Sequence, residues 1–302
     1  MAACLLSARL RAFLVTCGLA LLLAACGKSA DPDTITARPA FWQVDGPEGE
    51  RGYLLGTIHR LPAHVEWRSD AIDDALAGAS LLALETADVG DPGKMSAIFK
   101  QLAHSPGHPP LMARVEERDR AQLAALMAKA GYTTGDFRTV ETWAAALMLA
   151  QALQDESDGG VGNGVDAQLL ALASGKPVKE LEGSAGQLAL FDTLAEADQR
   201  DLLISIVREA GSETQKAELL DKAWMEGDMV AITRETNDGM MADAELRDAL
   251  LVRRNRLWAS KVDAWLRSGD RPFVAAGAAH MAGPDGLPAL LEAKGWSIRR
   301  VQ

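Results

Sequence analysis

The sequence predicts an α/β fold, with a mostly parallel central sheet, helices on both faces and a large helical insertion from Glu116 to about Gly239. Three observations carry this reading. Short apolar runs of strand length end abruptly at a glycine or a polar residue, as in Tyr53-Leu54-Leu55-Gly56 and Phe273-Val274-Ala275-Ala276-Gly277. Stretches with apolar residues at helical spacing lie between those runs, and strands alternating with helices imply a parallel sheet covered on both sides. Finally, two of the runs hand a histidine to the following loop in the same way, Gly56-x-x-His59 and Gly277-x-x-His280. In parallel sheets the carboxyl edge is where ligands bind.

Residues 1–26 are expected to lie outside the fold. Arg9 and Arg11 precede an apolar run from Ala12 to Ala25, which is shorter than the roughly 20 residues needed to span a bilayer and has the form of a secretory signal. Its end, Leu23-Ala24-Ala25-Cys26, resembles the lipobox of bacterial lipoprotein precursors, which implies lipidation at Cys26; an ordinary signal cleaved after an A-x-A-like site is the alternative. By analogy with lipoprotein sorting, Gly27 points to the outer rather than the inner membrane. The expected location is therefore the cell envelope, lipid-anchored and facing the periplasm.

Residues 27–38 read as a polar tether, and 39–302 as a single domain. Cys4 and Cys17 leave with the signal, so the mature chain keeps Cys26 alone and no internal disulfide is possible. Without Arg9 and Arg11, 29 basic residues face 42 acidic ones, a formal charge of −13. Such a surface repels phosphate backbones and argues against nucleic acid as a partner.

Along the domain, Phe41–Val44 and Tyr53–Leu55 flank the turn-rich Asp45-Gly46-Pro47-Glu48-Gly49 and predict a hairpin. Ser69 caps a helix over Asp70–Ala77. Ser80–Leu84 predicts a buried strand ending in Glu85, and a carboxylate there is expected to be paired, metal-bound or facing water. Glu116–Ala130 and Val140–Gln154 carry helical periodicity. The glycine-rich stretch 159–164 lacks the strand and the Lys-Ser/Thr of a phosphate loop and reads as a connection. A helix from Asp166 to Ser174, a strand over Pro177–Glu182, helices from Ala185 to Gly269 with a long piece at Ala244–Ser268, a helix over Leu287–Lys294 and a closing strand Trp296–Val301 complete the chain.

His59, Glu85 and His280 thus follow three predicted strands. Two imidazoles and a carboxylate suit a divalent transition metal with positions left open for water and substrate, and a bound cation brings its water's pKa towards ~7. Arg254, in the basic cluster Arg253-Arg254-Asn255-Arg256, could then stabilise an oxyanion. The same residues admit a plainer account, with the histidines capping strand-end carbonyls and Glu85 pairing with an arginine. His64, His104 and His108 lie in loops.

Five runs in order, Y-L-L-G-T-I-H at 53–59, L-L-A-L-E at 81–85, G-K-P-V-K-E-L-E at 175–182, R-N-R-L-W at 254–258 and V-A-A-G-A-A-H-M-A-G-P-D-G-L at 274–287, resemble the TraB/GumN/PrgY family, to which the Tiki proteins are related. The resemblance implies an erythromycin-esterase/ChaN-like fold and a metal-dependent peptidase; the ligand chemistry of imidazole and carboxylate makes Mn, Co or Zn the expected metal. It implies His59, His280 and Glu85 as metal-binding and catalytic residues, with Arg254 and Asn255 meeting the substrate, a peptide or small molecule. Where family members often continue the first motif with a short polar or glycine stretch, this chain has Leu61-Pro62-Ala63-His64; His64 reads as an ordinary loop histidine, with a labile fourth ligand as the minor alternative. A non-catalytic ligand-binding lipoprotein and a metal-free esterase-like hydrolase are the rival readings.

Overall fold

The computed structural model describes residues 34–302 except 62–63, 89–90, 155–163, 174 and 211–212. Cys26, the signal and most of the glycine-rich stretch therefore lie outside the described residues. The chain divides into two units, residues 1–35 and Thr36–Gln302, and the second holds the central sheet and its helices.

Six strands form that sheet: β1 (Phe41–Asp45), β2 (Arg51–Thr57), β3 (Leu81–Leu84), β4 (Val178–Glu180), β5 (Pro272–Gly277) and β6 (Ser297–Arg300), in the order β4-β3-β5-β2-β1-β6. The pairs β4/β3, β3/β5 and β5/β2 are parallel, whereas β1 runs antiparallel to both β2 and β6. The expected hairpin is β1–β2. The apolar runs are continuous because both faces are covered, so successive residues enter different cores. Leu55, Leu82, Leu84, Phe273 and Ala275 pack on one side with Ile72, Ala75 and Leu76 of α1 (Asp70–Gly78), and with Val165 and Leu169 of α5 (Val165–Leu172). Leu54, Leu81, Ala83, Val274 and Ala276 pack on the other side with Trp258, Val262 and Leu266 of α11 (Arg253–Arg267), and with Leu287 and Leu291 of α12 (Leu287–Glu292).

A third core is purely helical. It joins α2 (Pro92–Leu102), α3 (Arg120–Lys129), α4 (Thr142–Gln154), α6 (Gly183–Asp192), α7 (Glu196–Glu209) and the short α10 (Ala244–Arg247), and includes Leu126, Trp143, Leu203 and Leu246. This core reaches beyond 116–239 at both ends. Within that interval β4, α5 and Trp224 of α8 (Glu213–Glu226) belong to the sheet and its cover. Between α8 and α10 lies α9 (Met229–Thr236). Buried Arg114 ties the helical part together by donating to the Pro109, Phe137 and Val140 carbonyls and to Thr142 Oγ1.

The long helix expected over Ala244–Ser268 is not uniform: a π-helical turn, Asp248–Val252, separates α10 from α11. Apolar periodicity continues through such a turn, so the pattern does not reveal it. Wider turns of this kind are frequent at functional sites. Among the described residues no helix is long and apolar enough to cross a membrane.

Candidate functional site

Strands β3, β5 and β2 are consecutive and parallel, so their carboxyl ends lie side by side. Register then sets the depth of each following residue. Leu84 pairs with Ala275 and Thr57 with Gly277, which carries Glu85 level with Ala276 and lets the Gly277 N–H donate to Glu85 Oε1 at 2.8 Å. His59 follows β2 by two residues, and His280 lies in the 3-10 turn Ala278–Met281 after β5. A Cβ built on Gly277 would sit 3.4 Å from Glu85 Oε1, 3.9 Å from His280 Cδ2 and 4.0 Å from His59 Nε2. The three residues singled out in the sequence therefore surround one small space, which exists because residue 277 has no side chain.

Beneath that space Arg254, near the start of α11, uses all five of its donors. Nε and Nη2 form a fork on Glu182, at 3.0 and 2.6 Å; Nη2 also donates to Glu85 Oε2 at 2.9 Å; Nη1 donates to the Leu250 carbonyl at 2.9 Å and faces His280 Nε2 at 3.2 Å. Its guanidinium also stacks over Trp258, 4.7 Å from the ring centre. A guanidinium can only donate, so His280 Nε2 is unprotonated and the ring's hydrogen sits on Nδ1. That hydrogen goes to Asn255 Oδ1 at 2.6 Å, while Asn255 Nδ2 donates to the Asp285 carbonyl at 2.7 Å, which fixes the amide orientation. Burial, with the Arg254 and His59 charges added, outweighs the pull of Glu85 and pushes the His280 imidazole down to about 4. Burial alone would raise Glu85, but His280, Arg254, His59 and the Gly277 N–H together hold it below the usual carboxylate range. Glu182 moves the other way, because burial there outweighs Arg254.

His59 differs from its partner histidine. Its side chain is 69% exposed, and Nδ1 lies 3.2 Å from Asp166 Oδ2, while the other oxygen of Asp166 accepts from Thr57 Oγ1 at 2.9 Å. Because a carboxylate only accepts, Nδ1 carries a proton and Nε2 is the atom turned to the site. The hydrogen bond to Asp166, helped by the Asp166 and Glu85 charges, pushes the imidazole up to about 9. Asp166 reaches this position from the first turn of α5, which is docked by a Val165 N–H bond to the Ile58 carbonyl at 3.0 Å. The approach is possible because residue 164 is glycine: a Cβ there would lie 2.2 Å from the His59 carbonyl oxygen.

Sequence reasoning had Asp166 only as a helix opener and did not single out Glu182. The available signals were an acid just past a glycine-rich stretch and an acid closing a strand beside Glu85, and neither spacing reveals which partner it meets. His64 is exposed in the turn before Val65, and the hydrogen bonds that bind the site together do not include it. Arg254 and Asn255 face inward and are buried, and their polar atoms are engaged by protein.

The donor set can be tested against a divalent cation. His59 Nε2 and one face of Glu85 Oε1 are turned to the space at Gly277, and a carboxylate behind a histidine is the usual support of a metal-binding imidazole. His280 does not complete the set: its lone pair and Glu85 Oε2 both take hydrogen bonds from the Arg254 cation. A three-ligand arrangement therefore does not fit these side-chain positions, although the three residues lie together.

Neither the curated proteins nor the solved structures contain a match to the chain. The family model for TraB/PrgY/gumN proteins matches residues 40–300, which takes in all six strands of the sheet and every residue of the site, and the chain belongs to the TraB/PrgY/gumN family.

Proposed function

We propose that the chain is a hydrolase of amide or ester bonds, anchored in the cell envelope through Cys26 and acting on a peptide or small molecule on the periplasmic side. The observation that carries the reading is the convergence of an exposed, carboxylate-backed imidazole and an ionised buried carboxylate on one methyl-sized space at Gly277. His59, held by Asp166, is placed to take the proton of an attacking water in its neutral form and to return it to the leaving group, which is general acid–base work within reach of one imidazole. Glu85 orients that water through Oε1. Arg254, His280 and Asn255 form the rigid wall behind it, and Arg254 acts by holding Glu85 and His280 rather than by meeting substrate.

A second reading keeps a divalent metal such as Mn, Co or Zn, favoured by the Asp166–His59 pair. His59 Nε2 and Glu85 Oε1 would hold the ion, and it would supply an acidified water.

The test uses protein starting at Gly27, a library of peptides and esters, and product detection by mass spectrometry with and without chelator. Turnover that survives chelation and is lost in His59→Ala supports the first reading. Turnover lost on chelation and restored by Mn, Co or Zn supports the second. A bound ligand recovered intact, with no product, overturns both and leaves a binding protein.

A further inference from the structure

Glu182 has no part in the chemistry of either reading, yet it takes two of the five donors of Arg254 at the centre of the buried network. Its side chain is 12% exposed and grips Arg254 through two parallel hydrogen bonds, at 3.0 and 2.6 Å. Its backbone is tied to the same centre, since the Glu182 and Gly183 N–H groups both donate to the Glu85 carbonyl, at 3.1 and 2.9 Å. A fork on a guanidinium sets the plane and rotation of that group, which a single bond does not. With Nε and Nη2 fixed by Glu182, the remaining Nη2 hydrogen can point only at Glu85 and the Nη1 hydrogens only at Leu250 and His280.

We propose that Glu182 is a positioning residue of this site: by fixing the rotation of Arg254 it selects the His280 ring form with its hydrogen on Nδ1 and sets where Glu85 Oε2 is held. A chain of orientation then runs from Glu182 through Arg254 to His280 and Asn255, and ends at the wall of the space into which His59 opens. The proposal rests on the hydrolase reading for its catalytic consequence, but its structural core does not.

The experiment compares wild type, Glu182→Gln, Glu182→Asp and Arg254→Lys. Nitrogen-15 NMR reads the His280 ring nitrogens and the Arg254 Nε–H, and kinetics are measured on whatever substrate the library yields. Glutamine keeps the shape but presents an NH₂ where one arm of the fork needs an acceptor. The expected result for Glu182→Gln is a shifted His280 Nε2 resonance and fast solvent exchange of the Arg254 Nε–H. With these goes a fall in kcat of about 10–100-fold with KM nearly unchanged, the scale of a misplacement near 1 Å. Glu182→Asp, which retains the carboxylate, recovers part of each, and Arg254→Lys gives the same His280 change because an ammonium has no fork. Should Glu182→Gln not fold, the Asp and Lys variants carry the comparison.

His280 resonances and kcat per folded molecule equal to wild type, whatever the loss of thermal stability, would overturn the proposal and make Glu182 a mere loop tie. The NMR changes without turnover by any chain would uphold the positioning and remove the hydrolase reading.

Discussion

Acidification from pH 7 to pH 5 is expected to weaken the fold through His280. The imidazole is held down to about 4 by burial, whereas in the unfolded chain it titrates near 6.5. Between those values the unfolded state binds a proton that the folded state does not, so stability falls as pH falls through this window. At about 1.4 kcal/mol per unit, a drop to pH 5 covers roughly one and a half units of the difference and costs about 2 kcal/mol. Glu85, held below its ordinary value, loses its contribution only at lower pH, and Glu182, raised by burial, works in the opposite sense. Glu182 and the His59–Asp166 pair are common to wild type and His280→Phe and largely cancel between them; because His280 also helps to hold Glu85 down, the difference between the two chains reads the histidine together with its effect on Glu85.

The assay is urea unfolding at pH 7.0, 6.0 and 5.0 for both chains. His280→Phe, which leaves Arg254 Nη1 and Asn255 Oδ1 without the ring, is expected to be less stable throughout but to lack the slope of about 2 kcal/mol. Equal slopes in the two chains, or a His280 pKa of about 6 or above measured by NMR, would refute the assignment of a neutral, Arg254-facing imidazole.

Other outcomes follow from the same geometry. His59 is raised to about 9 by Asp166, so the His59–Asp166 pair stabilises fully below pH 6.5 and loses its contribution as pH rises through 9. If neutral His59 is the base, kcat/KM climbs with pH to a plateau above 9; Asp166→Asn moves that limb down towards 6.5 and lowers the plateau, and a pH–rate profile decides. Gly277→Ala adds a methyl with contacts of 3.4–4.0 Å at an ordinary backbone φ of −47°. It is expected to keep its melting temperature within a few degrees while turnover falls about tenfold or more, because the methyl fills the reacting space. Gly164→Ala meets backbone at 2.2 Å, so the loop or α5 must shift. A loss of about 1–3 kcal/mol in urea unfolding, with reduced activity, is the expected cost of such overpacking, and unchanged stability would show that α5 docks elsewhere.

Much of the fold was legible because burial writes itself into local pattern. Tyr53–Gly56, Leu81–Leu84 and Phe273–Gly277 are apolar on both faces because both faces are covered, and that is readable one residue at a time. The placement of His59, Glu85 and His280 after those strands was equally legible, since a residue just past a parallel strand lies at the carboxyl edge wherever the strand sits in the sheet. Adjacency of the three strands was not legible: β3 and β2 flank β5 although long stretches of chain separate each from it in sequence, and only strand order and register bring Glu85 to the Gly277 N–H. Nor was the partner of each charge. Arg254 meets Glu182, Glu85 and His280, and Asp166 meets His59, across separations of 26 to 169 residues. The sequence by itself thus determined the element types, the covered sheet and the edge at which the chemistry-bearing residues lie, because these depend on local periodicity. Tertiary structure decided that a guanidinium, with all its donors spent, stands between Glu85 and His280, because hydrogen-bond partners are chosen by distance and direction in three dimensions, which no local pattern records.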